Sequence, residues 1–195
     1  MWQKPRIGFM KKNPGVPWLT PEANQFLDEY LKDDHAMLEL GSGRSNLWFA
    51  KRVGPLTSVE HHVQWYENIN ELIQTSPFKH KISYFLRSLE HDNYGKIPYI
   101  SEIEKIENES LDVVLIDGKL RDQCFLACLP KLKSNGIINV DDANRYFVSD
   151  SKSPYSKREI NDLSENWKEI NTISKNWSKR WTSNDIHDTL LIIKP

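Results

Sequence analysis

The sequence predicts an α/β protein with a doubly wound, mostly parallel seven-stranded sheet that ends in an antiparallel C-terminal hairpin. Short apolar segments alternate along the chain with amphipathic segments, which is typical of parallel strands joined by helices. The segments 111–117 and 136–141 are near-continuous apolar runs, as in strands that helices cover on both faces. No helix separates the last two predicted strands, so we expect them to pair antiparallel. Ligands of such sheets bind at the carboxyl ends of the strands.

The predicted elements begin with a helix at Thr20, where a capping hydroxyl precedes a proline and an acidic residue. This helix ends near Lys32. The later elements are, in order, a strand at 36–40, a helix at 45–52, a strand at 56–60, a helix at 63–74, a strand at 82–87, a helix near 100–106, a strand at 111–117, a helix at 121–132, a strand at 136–141, a helix at 157–167, and strands at 168–174 and 188–195. We expect one domain, 1–195, with an N-terminal helical extension (1–35) and a Rossmann-like core (36–195).

The composition predicts a cytoplasmic protein that acts on a small molecule. The chain has 195 residues, of which 38% are apolar and 27% charged, and its net charge is -1. A nucleic-acid partner is not expected, because phosphate binding needs a basic face. A membrane partner is not expected either, because no apolar run approaches about 20 residues. Cys124 and Cys128 lie in a predicted helix, which favours reduced thiols. The sequence does not indicate an oligomeric state.

A glycine-rich turn in the segment LELGSGRS follows the first predicted strand. Gly41 and Gly43 allow a sharp turn and a close approach of the backbone to a ligand. Ser42 and Ser45 offer hydroxyl donors at the start of the next helix. The dinucleotide fingerprint requires a third glycine where this chain has Asn46, and the Gly-Lys-Ser/Thr of a phosphate loop is absent. The turn therefore matches neither standard phosphate site.

Two acidic residues indicate which ligand the turn holds. Glu39 stands just before it, where a carboxylate repels a phosphate and suits a cationic amine. Glu60 ends the second predicted strand, at the position where an acid accepts the hydroxyl groups of a ribose. A ligand with an amine at one end and a ribose at the other is S-adenosylmethionine.

The segments LELGSGRS and SVEHH and the terminal hairpin resemble the class I S-adenosylmethionine-dependent methyltransferases, whose first motif is acid-x-Gly-x-Gly. Together with VLIDGKLRDQC and LPKLKSNGIINVDDANR, they resemble a group of small bacterial methyltransferases over nearly the whole chain. The resemblance implies a Rossmann-like fold and S-adenosylmethionine as cofactor. The cofactor contacts expected from the residues and the resemblance together are Glu39, Gly41, Ser42, Gly43, Ser45, Glu60, His61, Ser88 and Asp117.

A second acidic set closes the fourth and fifth predicted strands. Asp117 ends one strand and Asp141 and Asp142 the next, so their carboxylates are predicted to meet on a Mg²⁺ ion. Asp141 and Asp142 share an ion only if the chain leaves the strand there, because successive strand residues point to opposite faces. In the alternative, Asp142 caps the next turn or pairs with Arg145, and no metal binds.

The acidic set resembles the ligands of metal-dependent sugar O-methyltransferases, with one departure. Those enzymes carry Asp-Gly-Asp where this chain has Asp117-Gly118-Lys119, and the third residue is their proposed base. Asp117 and Lys119 are the expected catalytic residues, and Lys119 serves as a base only if its pKa is depressed. Arg121 and Arg145 are predicted to contact the substrate, because arginine binds carboxylate or phosphate with two donors.

We therefore predict a methyltransferase that transfers a methyl group to an oxygen of a small hydroxylated metabolite or a sugar unit. N-methylation stays open, because nothing in the sequence identifies the acceptor atom. An alternative is a catalytically inactive S-adenosylmethionine-binding sensor or partner subunit, which Lys119 in place of an acid supports. A third hypothesis is a nucleotide-sugar or dinucleotide oxidoreductase, and Asn46 and the terminal antiparallel pair count against it.

Overall fold

A computed structural model describes residues 15–195, and helices and strands alternate along most of this range. The helices are α1 (Pro21–Tyr30), α2 (Ser45–Ala50), α3 (Val63–Gln74), α4 (Pro98–Glu104), α5 (Arg121–Cys128) and α6 (Glu165–Ile173). The strands are β1 (Met37–Leu40), β2 (Leu56–Glu60), β3 (Ile82–Leu86), β4 (Leu111–Ile116), β5 (Leu132–Asp141), β6 (Ser178–Ser183) and β7 (Asp188–Ile193). Short 3₁₀ turns lie at 79–81, 143–145 and 160–162.

The seven strands form one sheet in the order β3-β2-β1-β4-β5-β7-β6. The strands β3, β2, β1, β4 and β5 pair in parallel, and β7 is antiparallel to both β5 and β6. In this register Leu40 pairs with Val59 on one side and with Ile116 on the other. The carboxyl ends of β1, β2 and β4 therefore meet at one edge. The predicted fold class is confirmed.

Side chains of successive strand residues enter two separate apolar cores. On one face Leu38 and Val114 pack in a cluster with Phe125 of α5 and Trp167 of α6. On the other face Met37 and Val113 share a cluster with residues of α1 and α2. This alternation follows from the two-residue period of a strand. It explains why the central strands are apolar on both faces.

Helix α1 belongs to the second of these cores. Ala23 and Leu27 are fully buried there, and the Thr20 hydroxyl accepts a hydrogen bond from the Ala23 amide as the predicted cap. The Thr20 amide also donates to the Thr189 hydroxyl of β7, with an N–O distance of 3.2 Å. The predicted helix of the N-terminal extension thus packs directly on the sheet. The rest of that prediction, at residues 1–14, lies outside the described residues.

The prediction was wrong between 157 and 174. The predicted strand at 168–174 is the main part of helix α6. Of the predicted helix at 157–167 only 165–167 belong to α6, and the rest is a loop with a 3₁₀ turn that leads into it. The buried residues of α6 are Trp167 and Ile170, whose spacing of three is helical rather than extended. The true edge strand, β6, has the polar sequence SKRWTS and a mostly exposed surface, so it carries no apolar signal.

Smaller differences concern the ends of elements and the long loop before β4. The helix predicted near 100–106 begins earlier, at Pro98, and α5 ends at Cys128 rather than at 132. Strand β5 begins at Leu132, four residues before its predicted start. Between residues 15 and 195, no helix has both the length and the apolar character that crossing a membrane requires.

Candidate functional site

A groove of about 410 Å³ opens at the edge of the sheet where the carboxyl ends of β1, β2 and β4 meet. Its volume lies within the range of about 300–1,000 Å³ that is common for small-molecule sites. The residues that line it come from the turns that follow these three strands and from the first turns of helices α3 and α5. They are Gly41, Ser42, Glu60, His61, His62, Trp65, Asp117, Gly118, Lys119 and Arg121.

The floor of the groove is a close approach of two backbone segments. Gly41 has a φ angle of +91°, and a Cβ atom placed there would overlap the backbone of Gly118. The Gly118 amide donates to the carbonyl oxygen of Leu40 at 2.7 Å, which fixes the two turns together. A Cβ atom on Gly118 would in turn overlap the hydroxyl of Tyr99. Only glycine fits at these two positions, so the backbone of the turn stays open to a ligand.

Glu39 anchors the turn from behind the groove. Its side chain is fully buried, and its carboxyl group accepts hydrogen bonds from three side chains, those of Ser45, Asn46 and Ser58, at distances of 2.6–2.8 Å. Burial raises the pKa of Glu39 to about 8, against the lowering effect of its serine donors. Glu39 does not line the groove. Its expected contact with a ligand amine stays a prediction.

Glu60 lies in the groove wall with most of its hydrogen-bonding capacity already used. One oxygen, Oε1, accepts from the backbone amides of His61 and His62, each at 2.7 Å. The other, Oε2, accepts from the amide and the hydroxyl of Ser42, at 3.1 and 3.0 Å. The carboxylate thus joins the glycine turn to the end of β2. A ribose hydroxyl would have to share Oε2 with the Ser42 hydroxyl, which has a second partner in Tyr84 at 2.6 Å.

Three lining residues were not predicted as site residues from the sequence: His62, Trp65 and Gly118. The indole nitrogen of Trp65 donates to the carbonyl oxygen of Ser42 at 2.7 Å, so the ring covers the glycine turn from the side of α3. The His62 side chain caps α3 by accepting from the Trp65 amide. A usable signal existed, since all three residues stand within five positions of a strand end at the ligand-binding edge.

The acidic residues at the ends of β4 and β5 are brought together only in part. Asp117 lines the groove, while Asp141 is buried and accepts a hydrogen bond from the Thr189 hydroxyl at 3.1 Å. Burial, the charge of Asp141 and a hydrogen bond between the two carboxyl groups raise the pKa of Asp117 well above its usual value, and Arg121 opposes this rise. Asp142 has a φ angle of +53°, which takes the chain out of the strand and places its carboxylate 3.5 Å from Arg145.

The structure does not support the predicted metal site. Across residues 15–195, no group of three or more histidine, cysteine, aspartate or glutamate side chains is arranged to hold a metal ion. Asp142 pairs with Arg145 instead, as in the alternative raised from the sequence. Arg121 lies against Asp117 and the carbonyl oxygen of Asp141, where the ion was expected. The residues present therefore do not fit Mg²⁺.

The remaining predicted residues divide between the groove and its surroundings. Lys119 is exposed at the groove, and its role as a base stays a prediction. The Ser88 hydroxyl accepts from the Glu90 amide at 3.0 Å and so stabilises its own loop. Gly43, Ser45, Ser88 and Arg145 are not among the lining residues.

Comparison with known proteins adds solved structures of the same architecture. No family model matches the sequence, and no curated protein matches it. A candidate caffeoyl-CoA O-methyltransferase from Staphylococcus aureus superposes with a TM-score of 0.64 at 16% identity, over 100% of this chain and 93% of that one. An O-methyltransferase from Bacillus cereus, solved with S-adenosylhomocysteine, gives 0.64 at 13% identity, over 98% and 90% of the two chains. A candidate rRNA methylase from Clostridium thermocellum gives 0.62 at 12% identity, over 89% and 93%.

These superpositions decide the fold. The chain has the fold of the class I S-adenosylmethionine-dependent methyltransferases. At these identities the likeness extends to the fold alone. The neighbours named for different acceptors share the same methyltransferase fold, so the fold does not identify the acceptor.

The groove of this methyltransferase fold fits S-adenosylmethionine in two respects. The contact of Gly41 with Gly118 keeps side chains out of the floor, so a ligand can lie against the backbone. Glu60 places a carboxylate beside the glycine turn, which complements a ligand with a cationic sulfur and a cationic amine. The Tyr99 hydroxyl, directly beneath Gly118, is buried and has no hydrogen-bond partner among residues 15–195.

Proposed function

We propose that the protein is an S-adenosylmethionine-dependent methyltransferase that methylates an oxygen of a small hydroxylated molecule. The observation that carries the proposal is the glycine floor, where Gly41 and Gly118 leave a backbone-lined groove between two acidic side chains. The names of the Staphylococcus and Bacillus neighbours agree with oxygen as the acceptor atom. The net charge of -1 favours a small molecule over a nucleic acid.

The cofactor side of the groove is assigned to the turns after β1 and β2. Gly41 and Ser42 would lie against the amino-acid portion of S-adenosylmethionine, and Glu60 with His61 would hold the ribose and the base. The bound cofactor supplies a methyl group on a positively charged sulfur. Glu39 contributes from behind, since it holds Ser45 and Asn46 at the start of α2 and so fixes the shape of the turn.

The acceptor side is assigned to the turn after β4. Asp117 lies in the groove wall and its pKa is raised by burial and by the charge of Asp141, so its carboxyl group is the candidate to accept a proton from an acceptor hydroxyl. Lys119 places a positive charge at the exposed part of the groove, where it would attract an anionic oxygen. Positioning of the acceptor contributes most to such a displacement, and Lys119 is the exposed charged residue of the groove that is available for it.

In the alternative, the protein is an inactive sensor or partner subunit, which binds the cofactor in the same groove but transfers no methyl group. It is favoured by Lys119, which is exposed at the groove at the position where the sugar O-methyltransferases that the sequence resembles carry an acid. It predicts tight cofactor binding without turnover on any acceptor. An Asp117→Asn variant would then keep its function in the cell, whereas an enzyme would lose it.

The first test is a calorimetric titration of the protein with S-adenosylhomocysteine, with NAD⁺ as the control ligand. Micromolar or tighter binding of S-adenosylhomocysteine and no binding of NAD⁺ is the expected result. Labelled S-adenosylmethionine would then be incubated with sugars, phenols and an RNA extract to find the acceptor. Failure to bind S-adenosylhomocysteine would remove the methyltransferase proposal, and binding of NAD⁺ alone would restore the oxidoreductase hypothesis.

A further inference from the structure

The guanidinium group of Arg121 joins the carboxyl ends of two neighbouring strands. Its Nη2 atom donates to the carbonyl oxygen and to Oδ1 of Asp117, at 2.8 and 3.0 Å. Its Nε atom donates to the carbonyl oxygen of Gly118 at 3.0 Å, and Nη1 donates to the carbonyl oxygen of Asp141. The side chain is only 11% exposed. Four oxygen atoms, three of them from the backbone, thus surround one positive charge.

These four oxygen atoms form a set of hard donors, which is the ligand type that divalent cations bind. Carbonyl and carboxylate oxygens are what Mg²⁺, Ca²⁺ and Mn²⁺ prefer. All four oxygens belong to the turn after β4 or to the end of β5, the edge where the acidic set of the sequence predicted an ion. A guanidinium is always charged and presents its donors in a fixed plane, so it can occupy such a set permanently.

The surroundings keep the guanidinium in place. The ring of Tyr146 covers it, with 5.5 Å between Cζ and the ring centre. Arg121 opens helix α5, so its backbone position follows from the turn that carries Asp117 and Gly118. The third acid of the predicted set, Asp142, is held apart by Arg145. A divalent ion would have to displace a nearly buried arginine and break four hydrogen bonds.

We infer that Arg121 is the resident cation of this site: it fills the oxygen set between β4 and β5, excludes divalent metal ions and makes the protein independent of them. Arg121 is thereby a positioning residue, which holds the Asp117 carboxyl group at the groove wall. The inference rests on the proposed function only where it concerns catalysis. The occupancy of the oxygen set is a property of the protein without cofactor.

The test is a titration of Mn²⁺, followed by electron paramagnetic resonance of the free ion, in the absence of S-adenosylmethionine. The wild-type protein is expected not to bind Mn²⁺ at millimolar concentration. Arg121→Ala leaves the oxygen atoms without a partner and is expected to bind one Mn²⁺ ion, and adding Asp117→Asn to it is expected to weaken this binding. Arg121→Lys keeps a positive charge and is expected to exclude the ion as the wild type does. Circular dichroism confirms that each variant is folded.

Two results would overturn the inference. Stoichiometric Mn²⁺ binding by the wild type, lost in Asp117→Asn, would show that a metal ion displaces Arg121 from the oxygen set. A folded Arg121→Ala variant that binds no Mn²⁺ would show that the arginine does not occupy a cation site. If Arg121→Ala does not fold, Arg121→Gln replaces it under the same criteria. S-adenosylhomocysteine is absent from the titration, so either failure is distinct from a failure of the methyltransferase proposal.

Discussion

The amide and the hydroxyl of Ser42 both donate to the same oxygen atom of Glu60, Oε2, at 3.1 and 3.0 Å. The other oxygen accepts from the amides of His61 and His62. A single carboxylate therefore fixes the glycine turn, the end of β2 and the start of α3 relative to one another. The shape of the groove depends on the negative charge of Glu60, whichever ligand the groove holds.

Replacing that charge tests this dependence. In Glu60→Gln the new amide group donates where the wild type accepts, so at least one of the four N–H or O–H donors loses its partner. Hydrogen bonds to charged groups contribute about 1.5–3 kcal/mol, so we expect the affinity for S-adenosylhomocysteine to fall about 10- to 100-fold. Calorimetry measures the change. Glu71→Gln, at an exposed position of α3, is the matched control and should bind like the wild type.

The close packing of the groove floor predicts that one added methyl group at Gly41 strongly reduces stability and ligand binding. Alanine at Gly41 would have to adopt a φ angle of +91° and would overlap the backbone of Gly118. Strained backbone of this kind costs about 1–3 kcal/mol, and the overlap adds to that. We expect Gly41→Ala to lower the midpoint of urea unfolding clearly and to abolish binding of S-adenosylhomocysteine. Gly15→Ala is the control, because a Cβ atom there meets nothing within 4 Å. Equal unfolding midpoints for the two variants would contradict this account of the floor.

The contrast between β1 and β6 shows what the sequence can predict. Met37–Leu40 is buried at every position, and its apolar pattern identifies it as a central strand. Ser178–Ser183 is a strand only because β7 offers its free edge, and its polar sequence does not record that pairing. The glycine turn was predictable, as β1 was, because it lies within one short segment and because glycine adopts backbone angles that other residues rarely adopt.

The role of Arg121 shows what the sequence could not predict. Its partners include the carbonyl oxygens of Asp117, Gly118 and Asp141, and a carbonyl oxygen is the same for every residue type. The sequence therefore showed three acids near two arginines, but not which charge would fill the space between the strands. The pairing of Asp142 with Arg145 likewise depends on a left-handed backbone angle that an aspartate adopts without any distinct sequence signal.

The side wall of the groove gives a third prediction. The Trp65 indole donates to the Ser42 carbonyl oxygen at 2.7 Å, so it holds the glycine turn against α3. Trp65→Phe keeps an aromatic ring and removes the donor. A net loss of about 0.5–1.5 kcal/mol corresponds to a decrease of about 2- to 10-fold in the affinity for S-adenosylhomocysteine. Trp177→Phe, which changes a tryptophan that packs on the core away from the groove, should leave the affinity unchanged.

The raised pKa of the buried Glu39 predicts how the free energy of unfolding depends on pH. Its folded-state pKa of about 8 lies above its ordinary value of 4.5, so between these values the folded protein holds a proton that the unfolded chain has released. Stability from this proton is complete below pH 4.5 and is lost as the pH rises to about 8. A tenfold difference in proton affinity between the folded and unfolded states corresponds to about 1.4 kcal/mol, so the loss amounts to a few kcal/mol.

The Glu39→Gln variant isolates this contribution from those of the other titrating groups. Glutamine resembles the protonated acid, since it can donate to the Ser45 hydroxyl and accept from Asn46 and Ser58. Urea unfolding at pH 5 should give similar free energies of unfolding for the variant and the wild type. At pH 8.5 the variant should be the more stable of the two, whereas Glu71→Gln should follow the wild type at both pH values. Parallel pH profiles for Glu39→Gln and the wild type would show that Glu39 is charged in the folded protein, which would support its expected contact with a cationic ligand.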